Sequence, residues 1–233
     1  MSKEKNWWFK VRRNLVVRQI QPFLKDTACI LDAGAGIGDV SFVLKNAGFA
    51  VRCLDISHKS VEYLRKKGLI ADKGDVQNFP YDNCTFDIIL SLDVLEHVKD
   101  DLVAIKELKR VLKDGGIACI NIPMFPFLWS FHDKINEHLR RYKRKELEKK
   151  LKENNLTILK CFYWNSILLI PIFIFRKLKA MLKIKTDDLT TFNNAFINCA
   201  LEYLLKFDVF LAEKGFFFFG ISKIMIIQKP SDS

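Results

Sequence analysis

Apolar residues in the first half of the chain follow two rhythms. Short runs at Cys29 to Leu31, Ala50 to Leu54, Leu69 to Ala71, Phe86 to Leu92 and Ile117 to Ile122 read as buried strands. Between them Val40, Phe42, Val43 and Leu44, then Val61, Tyr63 and Leu64, then Leu102, Ile105, Leu108 and Leu112 recur at helical spacing. Ser57 is a candidate N-cap for the second of these helices, Lys66-Lys67-Gly68 its stop, and Gly115-Gly116 the stop of the third. Strands and helices alternating over short connections predict a mostly parallel sheet. Ahead of the first strand, Trp7, Trp8, Phe9, Val11, Leu15, Val16 and Ile20 predict one or two amphipathic helices ending at Gln21-Pro22. Residues 1–24 thus read as a helical cap over a sheet edge or a ligand crevice.

The second half is less regular. Pro123 to Tyr142 mixes aromatics with histidines and arginines, Lys145 to Lys152 reads as a charged helix, and Leu156 to Phe162 as a sixth strand. Ile167 to Phe175 is an apolar run interrupted by Pro171 and followed by Arg176, Lys177 and Lys179. It falls short of the roughly 20 residues a membrane span needs. A buried helix is its commonest meaning; with the aromatic stretch Phe207 to Phe219, a flap that touches lipid is the rival. Ser222 to Gln228 supplies a last strand.

The chemistry concentrates where the first strand meets its helix. Asp32 is followed by Gly34, Gly36 and Gly38, a tight turn that lets backbone approach a ligand at a helix N-terminus. The third glycine comes one residue too early for the dinucleotide fingerprint, and no Lys-Ser or Lys-Thr follows, so a P-loop is excluded. Asp32, Asp55, Asp75 and Asp93 stand at or just beyond strand carboxyl ends, the rim where open α/β sheets bind ligands. Four acids in succession suit hydroxyls, amines and positive charge.

Length and charge narrow the setting. The 233 residues fit one large α/β domain, and half of them are apolar. The net charge of +11 suits nucleic acid, an anionic membrane surface or a phosphorylated substrate, with much of the excess in 143–160 and 176–185. Six scattered cysteines without a Cys-x-x-Cys pair read as reduced thiols. The N-terminus lacks a signal-peptide pattern, so a cytoplasmic address is expected, with peripheral membrane association where the insertion meets lipid.

With Leu31-Asp-Ala-Gly-Ala-Gly-Ile-Gly38, Asp55, Asp75-Val76 and Phe86-Asp-Ile-Ile-Leu-Ser-Leu-Asp-Val-Leu-Glu-His97 in place, the stretch from about Lys25 to Pro123 resembles the class I S-adenosylmethionine-dependent methyltransferases, type 11/12. The resemblance implies a Rossmann-like α/β fold. Its seven-stranded, mostly parallel sheet would run in the order 3-2-1-4-5-7-6, with helices on both faces. Residues 25–233 would form the domain, with a helical insertion at about 165–219, where many relatives have a short link. It implies S-adenosyl-L-methionine as cofactor. Asp55 would hold the ribose hydroxyls, Asp75 and Val76 the adenine, and Asp32 the methionine amino group through the turn. Gly34, Ala35, Gly36, Gly38, Ile56 and Ser91 complete the cofactor set.

Transfer to oxygen benefits from a general base, and His97, His132 and His138 are the candidates. Asp133 is placed to orient one of them. Trp8, Arg12, Trp129, Asp133, Arg140, Arg141 and Tyr142 are candidate acceptor contacts, the paired arginines suiting an anionic group. For Trp129 and Tyr142 simple packing is the stronger reading, and Glu96 reads as a helix-start carboxylate. No metal is called for, since a sulfonium is itself the electrophile. The leading expectation is methylation, at oxygen, of a small-molecule or lipid- or glycan-linked acceptor. Its rivals are an RNA or protein methyltransferase and a non-catalytic cofactor-binding factor that docks on membrane or protein.

Overall fold

The computed structural model describes residues 6–184 and 195–231. A 14-residue helix, α1 (Trp7–Ile20), opens the chain, its first turn capped by the Asn6 side chain, which accepts from the Trp8 amide at 2.9 Å. There follow β1 (Cys29–Ala33), α2 (Asp39–Asn46), β2 (Ala50–Asp55), α3 (His58–Lys66), β3 (Ile70–Lys73), β4 (Phe86–Leu92), α4 (Asp101–Val111) and β5 (Leu112–Pro123). The second half adds α5 (Phe131–Ile135), α6 (Glu146–Glu153), β6 (Thr157–Trp164), α7 (Leu169–Met181), α8 (Ala195–Glu213) and β7 (Ser222–Gln228). One seven-stranded sheet runs β3-β2-β1-β4-β5-β7-β6, with β7 antiparallel to both neighbours and the other pairs parallel. This is the Rossmann-like order expected from the sequence.

Alternation along each strand divides the core in two. Ile30 and Leu90 face Leu15, Val16, Leu44 and Leu64, and Leu31 and Ile89 face Ile105, Leu108 and Leu151. The first face is covered by α1, α2, α3 and α8, the second by α4 and α6.

The boundaries move where tertiary pairing overrides local pattern. β5 begins at Leu112, five residues before the apolar run, because Leu112 pairs with Phe86 across a register shift between Phe86 and Ile88. α7 runs through Pro171 without a break. The proline is its third residue, where an amide has no intrahelical partner to lose. Nor is α7 the buried helix that an apolar run usually means. Ile170, Ile174, Leu178 and Met181 lie one turn apart and exposed, Met181 by 78%. α8 instead buries Leu205, Val209 and Ala212 and lies against α1. Among the described residues the insertion expected at 165–219 holds two helices; 185–194 lie outside the described residues, as do residues 1–5 of the expected cap. Among the described residues, no helix is long and apolar enough to cross a membrane.

One carboxylate ties the insertion to the sheet. Asp208 of α8, fully buried, accepts from the amides of Asn165, Ser166 and Ile167 at 2.7, 2.6 and 2.6 Å, just beyond β6. Asp208→Ala strands three buried donors and should lower the unfolding free energy by about 3 kcal/mol or more, with Asp208→Asn roughly half as costly. Equilibrium denaturation measures this, and an unchanged midpoint in both variants would show that the contact carries no stability.

Candidate active site

The glycine turn leaves β1 stitched to the end of β2. Gly34 and Ala35 donate to the Leu54 carbonyl at 2.8 and 3.0 Å, and Gly36 donates to Asp55 Oδ2 at 2.7 Å. Asp55 Oδ1 accepts from the Ser57 amide at 2.8 Å. A carboxylate has about four lone-pair sites, so two amides orient Asp55 and leave acceptor capacity for hydroxyls. Ile56 beside it is 68% exposed, an apolar ledge next to the charge. Two glycines are required sterically. Gly34 takes φ +79°, and a Cβ there would stand 2.4 Å from a Val94 methyl; Gly36, at φ +56°, turns toward open space.

A cavity of about 760 Å³ extends from this turn over the carboxyl ends of β4 and β5. Gly34 to Ile37 floor one end, and His97, His132 and His138 line the other. Trp7, Trp8, Phe9 and Arg12 of α1 and Leu168, Ile172 and Phe175 of the insertion enclose it. Arg12 is buried, ion-paired with Asp93 and 3.4 Å from Asp39, with Trp8 and Phe9 rings 5.0 and 5.1 Å from its guanidinium. Burial opposes its charge, but Asp93 and Asp39 outweigh burial and hold Arg12 protonated more firmly than usual. Arg12 therefore fastens α1 to the sheet rim.

At the other end, the His138 ring is held from behind. Its Nδ1 donates to Asp133 Oδ1 at 3.0 Å, the same oxygen takes Arg141 Nε at 2.7 Å, and Oδ2 takes the Ser130 amide at 2.8 Å. Burial pushes the Asp133 carboxyl up, yet His138, Arg141 and the Ser130 amide together hold it well below the usual range. His97 meets His138 edge-on at 4.8 Å, and burial followed by His138 lowers its pKa. Glu96 closes the group. It is 0% exposed, neither oxygen has a hydrogen-bond partner, and burial with Asp93 nearby pushes its carboxyl well up.

Of the residues singled out from sequence, Trp8, Arg12, His97, His132, His138, Arg141, Gly34, Ala35 and Gly36 line this cavity. Asp55, Ile56, Asp75 and Val76 do not line it: Asp55 ends β2 with Ile56 next, and Asp75 and Val76 follow β3, where Asp75 accepts from the Gln77 amide at 2.9 Å. Gly38 packs against Leu64 and Leu69. Ser91 is buried within β4.

Four expected acceptor contacts do not reach the cavity; one is Asp133, which stands behind His138. Tyr142 is fully buried, donating to Asp101 Oδ2 at 2.9 Å, and Arg140 is spent on the carbonyls of Val98 and Lys99 at 2.8 and 2.7 Å. Trp129 lines a separate cleft of about 110 Å³ with Phe127 and Phe173. The sequence pattern did not single out Asp39 as a site residue and read Glu96 as a helix-start carboxylate, although Glu96 directly precedes His97.

Asp32 is buried under the turn, accepting from Ser41 Oγ at 2.5 Å. Burial raises its pKa to about 6.

A family model described as a methyltransferase domain matches residues 31–120. A chloroplastic 2-methyl-6-phytyl-1,4-hydroquinone methyltransferase of Oryza sativa is 34% identical over 106 residues, 43% of this chain and 32% of that protein. A sarcosine/dimethylglycine N-methyltransferase of Aphanothece halophytica is 33% identical over 105 residues, 41% of this chain and 38% of that one. The chain thus spans about a third of the length of these relatives. Over the whole fold, the crystal structure of the [4+2]-cyclase SpnF superposes with a TM-score of 0.64 at 19% identity, covering 95% of this chain and 80% of that one.

The Asp32 pKa sets a pH dependence. Between its ordinary 3.8 and about 6 the folded state binds more protons than the unfolded one, so this group's contribution to stability falls as pH rises through that window. Asp32→Asn does not titrate. Relative to that variant, the wild type should lose up to about 3 kcal/mol of stability from pH 4 to pH 7, read from paired urea titrations. A pH-independent difference would mean that Asp32 titrates normally.

Proposed function

We propose that this chain, whose residues 31–120 match the methyltransferase-domain model, is a class I S-adenosylmethionine-dependent methyltransferase acting on an oxygen of a small or lipid-linked acceptor. One observation carries the reading: a single, mainly apolar cavity joins the glycine turn at one end to the histidine cluster at the other. Cofactor and acceptor groups would meet inside it, shielded from water.

The residues at the turn fit S-adenosylmethionine. Asp55, oriented by two amides, would take the ribose hydroxyls. Ile56 would support the adenine and Asp75 its amine. The turn at Gly34 to Gly36 would lie under the methionine portion. When bound, S-adenosylmethionine supplies a methyl group that an incoming lone pair displaces, the carbon–sulfur bonding pair returning to sulfur. The protein's own part is to hold the acceptor oxygen at the His97–His138 pair and relieve it of its proton. Asp133 and Arg141 fix the His138 ring so that Nε2 faces the cavity, while α1 and α7 exclude water.

The surface supports a lipid-linked acceptor over a soluble one. The α7 row is exposed, and Tyr203, Phe207 and Phe210 of α8 and Phe216, Phe218 and Phe219 are exposed as well. Lys177, Lys183, Lys206 and Lys214 are exposed nearby. Apolar side chains beside lysines suit a peripheral contact with an anionic membrane. The opposite face of α7 supplies Ile172 and Phe175 to the cavity wall, so an acceptor tail could pass from bilayer to site along one helix. The phytyl-bearing hydroquinone in the rice protein's name is an acceptor of that apolar kind.

Two measurements test the reading. Asp55→Ala should weaken S-adenosylhomocysteine binding by at least 100-fold in calorimetry while thermal unfolding stays cooperative; unaltered affinity would remove the assigned cofactor site. Vesicles containing phosphatidylglycerol should sediment the protein, neutral vesicles should do so weakly, and Ile174→Glu with Leu178→Glu should release it. Sedimentation indifferent to both changes would end the membrane reading.

A further inference from the structure

We infer that Glu96, His97 and His138 form a binding site for one divalent transition-metal ion at the acceptor end of the cavity. One donor atom from each residue can be chosen so that all three lie within 4.8 Å of one another, and His138 Nε2 is 4.0 Å from Glu96 Oε1. Ligand bonds of about 2.1 Å put neighbouring donors roughly 3–3.5 Å apart, so side-chain rotations of about an ångström close the site. Two imidazoles and a carboxylate favour zinc, manganese, cobalt or iron over calcium.

Glu96 is the independent pointer. It is 0% exposed, and neither carboxylate oxygen has a hydrogen-bond partner. Buried polar atoms are almost always satisfied, and a cation would satisfy both of these at once. Arg12 and Arg141 serve other carboxylates, Asp93 with Asp39 and Asp133 respectively. Asp93 itself is engaged by Arg12 and by Asn121 at 2.7 Å, which leaves Glu96 as the carboxylate for an ion.

His138 is supported in the way metal ligands usually are. It gives Nδ1 to Asp133, and the His97 ring meets it edge-on at 4.8 Å. His138 keeps its second nitrogen for a ligand, and Asp133 fixes its ring orientation. Three protein donors also leave coordination positions open for an acceptor oxygen.

What the ion would do rests on the methyl-transfer reading; whether it binds does not. With the ion bound, the two histidines would be ligands and not the base, and a hydroxyl on the ion would ionise near neutral pH, its proton passing to solvent. The oxygen lone pair would then form the bond to the methyl carbon as the carbon–sulfur pair leaves with sulfur. The sequence alone called for no metal, because transfer from a sulfonium does not require one.

The test uses the full chain stripped of metal. Titration with Co2+ should give one saturable site with visible absorption of a nitrogen- and oxygen-ligated ion. Glu96→Gln, His138→Asn and the exposed-site variant His97→Ala should each weaken it at least 10-fold, and Asp133→Asn about 10-fold. Exposed Cys84, Cys161 and Cys199 could bind metal by themselves, but such binding would survive in these variants and show sulfur charge-transfer bands. No saturable Co2+ binding, or equal binding by wild type and Glu96→Gln, overturns the inference. S-adenosylhomocysteine calorimetry on the same samples separates the two readings. Cofactor bound without metal removes only the ion, whereas metal bound without cofactor removes methyl transfer and keeps the site.

Discussion

The cavity exists because one guanidinium holds the first helix over the strand ends. Arg12 lies between Asp93, at the end of β4, and Asp39, at the start of α2. Asp93 in turn takes the Asn121 amide at 2.7 Å, and Asn121 accepts the Trp164 indole N–H at 2.8 Å. Trp164 then stacks on Trp8 at 5.7 Å, so the chain of contacts returns to α1. Three strand ends, the start of α2 and the helix that roofs them are joined in one loop of polar and aromatic contacts. A carboxylate pair beneath α1 without the arginine would repel, and the roof would have no charged anchor.

The first half of the fold was legible because each element there obeys a local rule. Strands and helices alternate, glycines mark the turn, and acids fall at the strand ends that become the rim. β5 was misjudged at its start because Leu112 is strand by virtue of its neighbour Phe86, which no local pattern records. α7 has a continuous apolar run whose ordinary meaning is burial. Only the path of the chain shows that one side faces the cavity and the other faces out.

The acceptor residues show the same limit at finer grain. Arg140, Arg141 and Tyr142 are consecutive and chemically alike in promise. The segment is extended where Tyr142 bridges to Met124, so neighbouring side chains point to opposite sides. Arg141 turns to the cavity, while Arg140 and Tyr142 turn to Asp101 behind it. Composition named the right stretch; alternation chose the residue. Glu96 read as a helix-start carboxylate, whereas in the fold it is buried beside the 137–142 segment, with the Leu139 amide on its carbonyl and His138 4.0 Å from its carboxylate.

The last strand has a consequence for how the chain is made. β7 lies between β5 and β6, so the two strands flanking it have no direct contact to form with each other. Until residues 222–228 emerge from the ribosome, both keep an unpaired backbone edge, and β5 waits through about a hundred residues of synthesis. During translation those edges are open to pairing with another nascent chain, an exposure that ends only when the C-terminal strand is threaded between them.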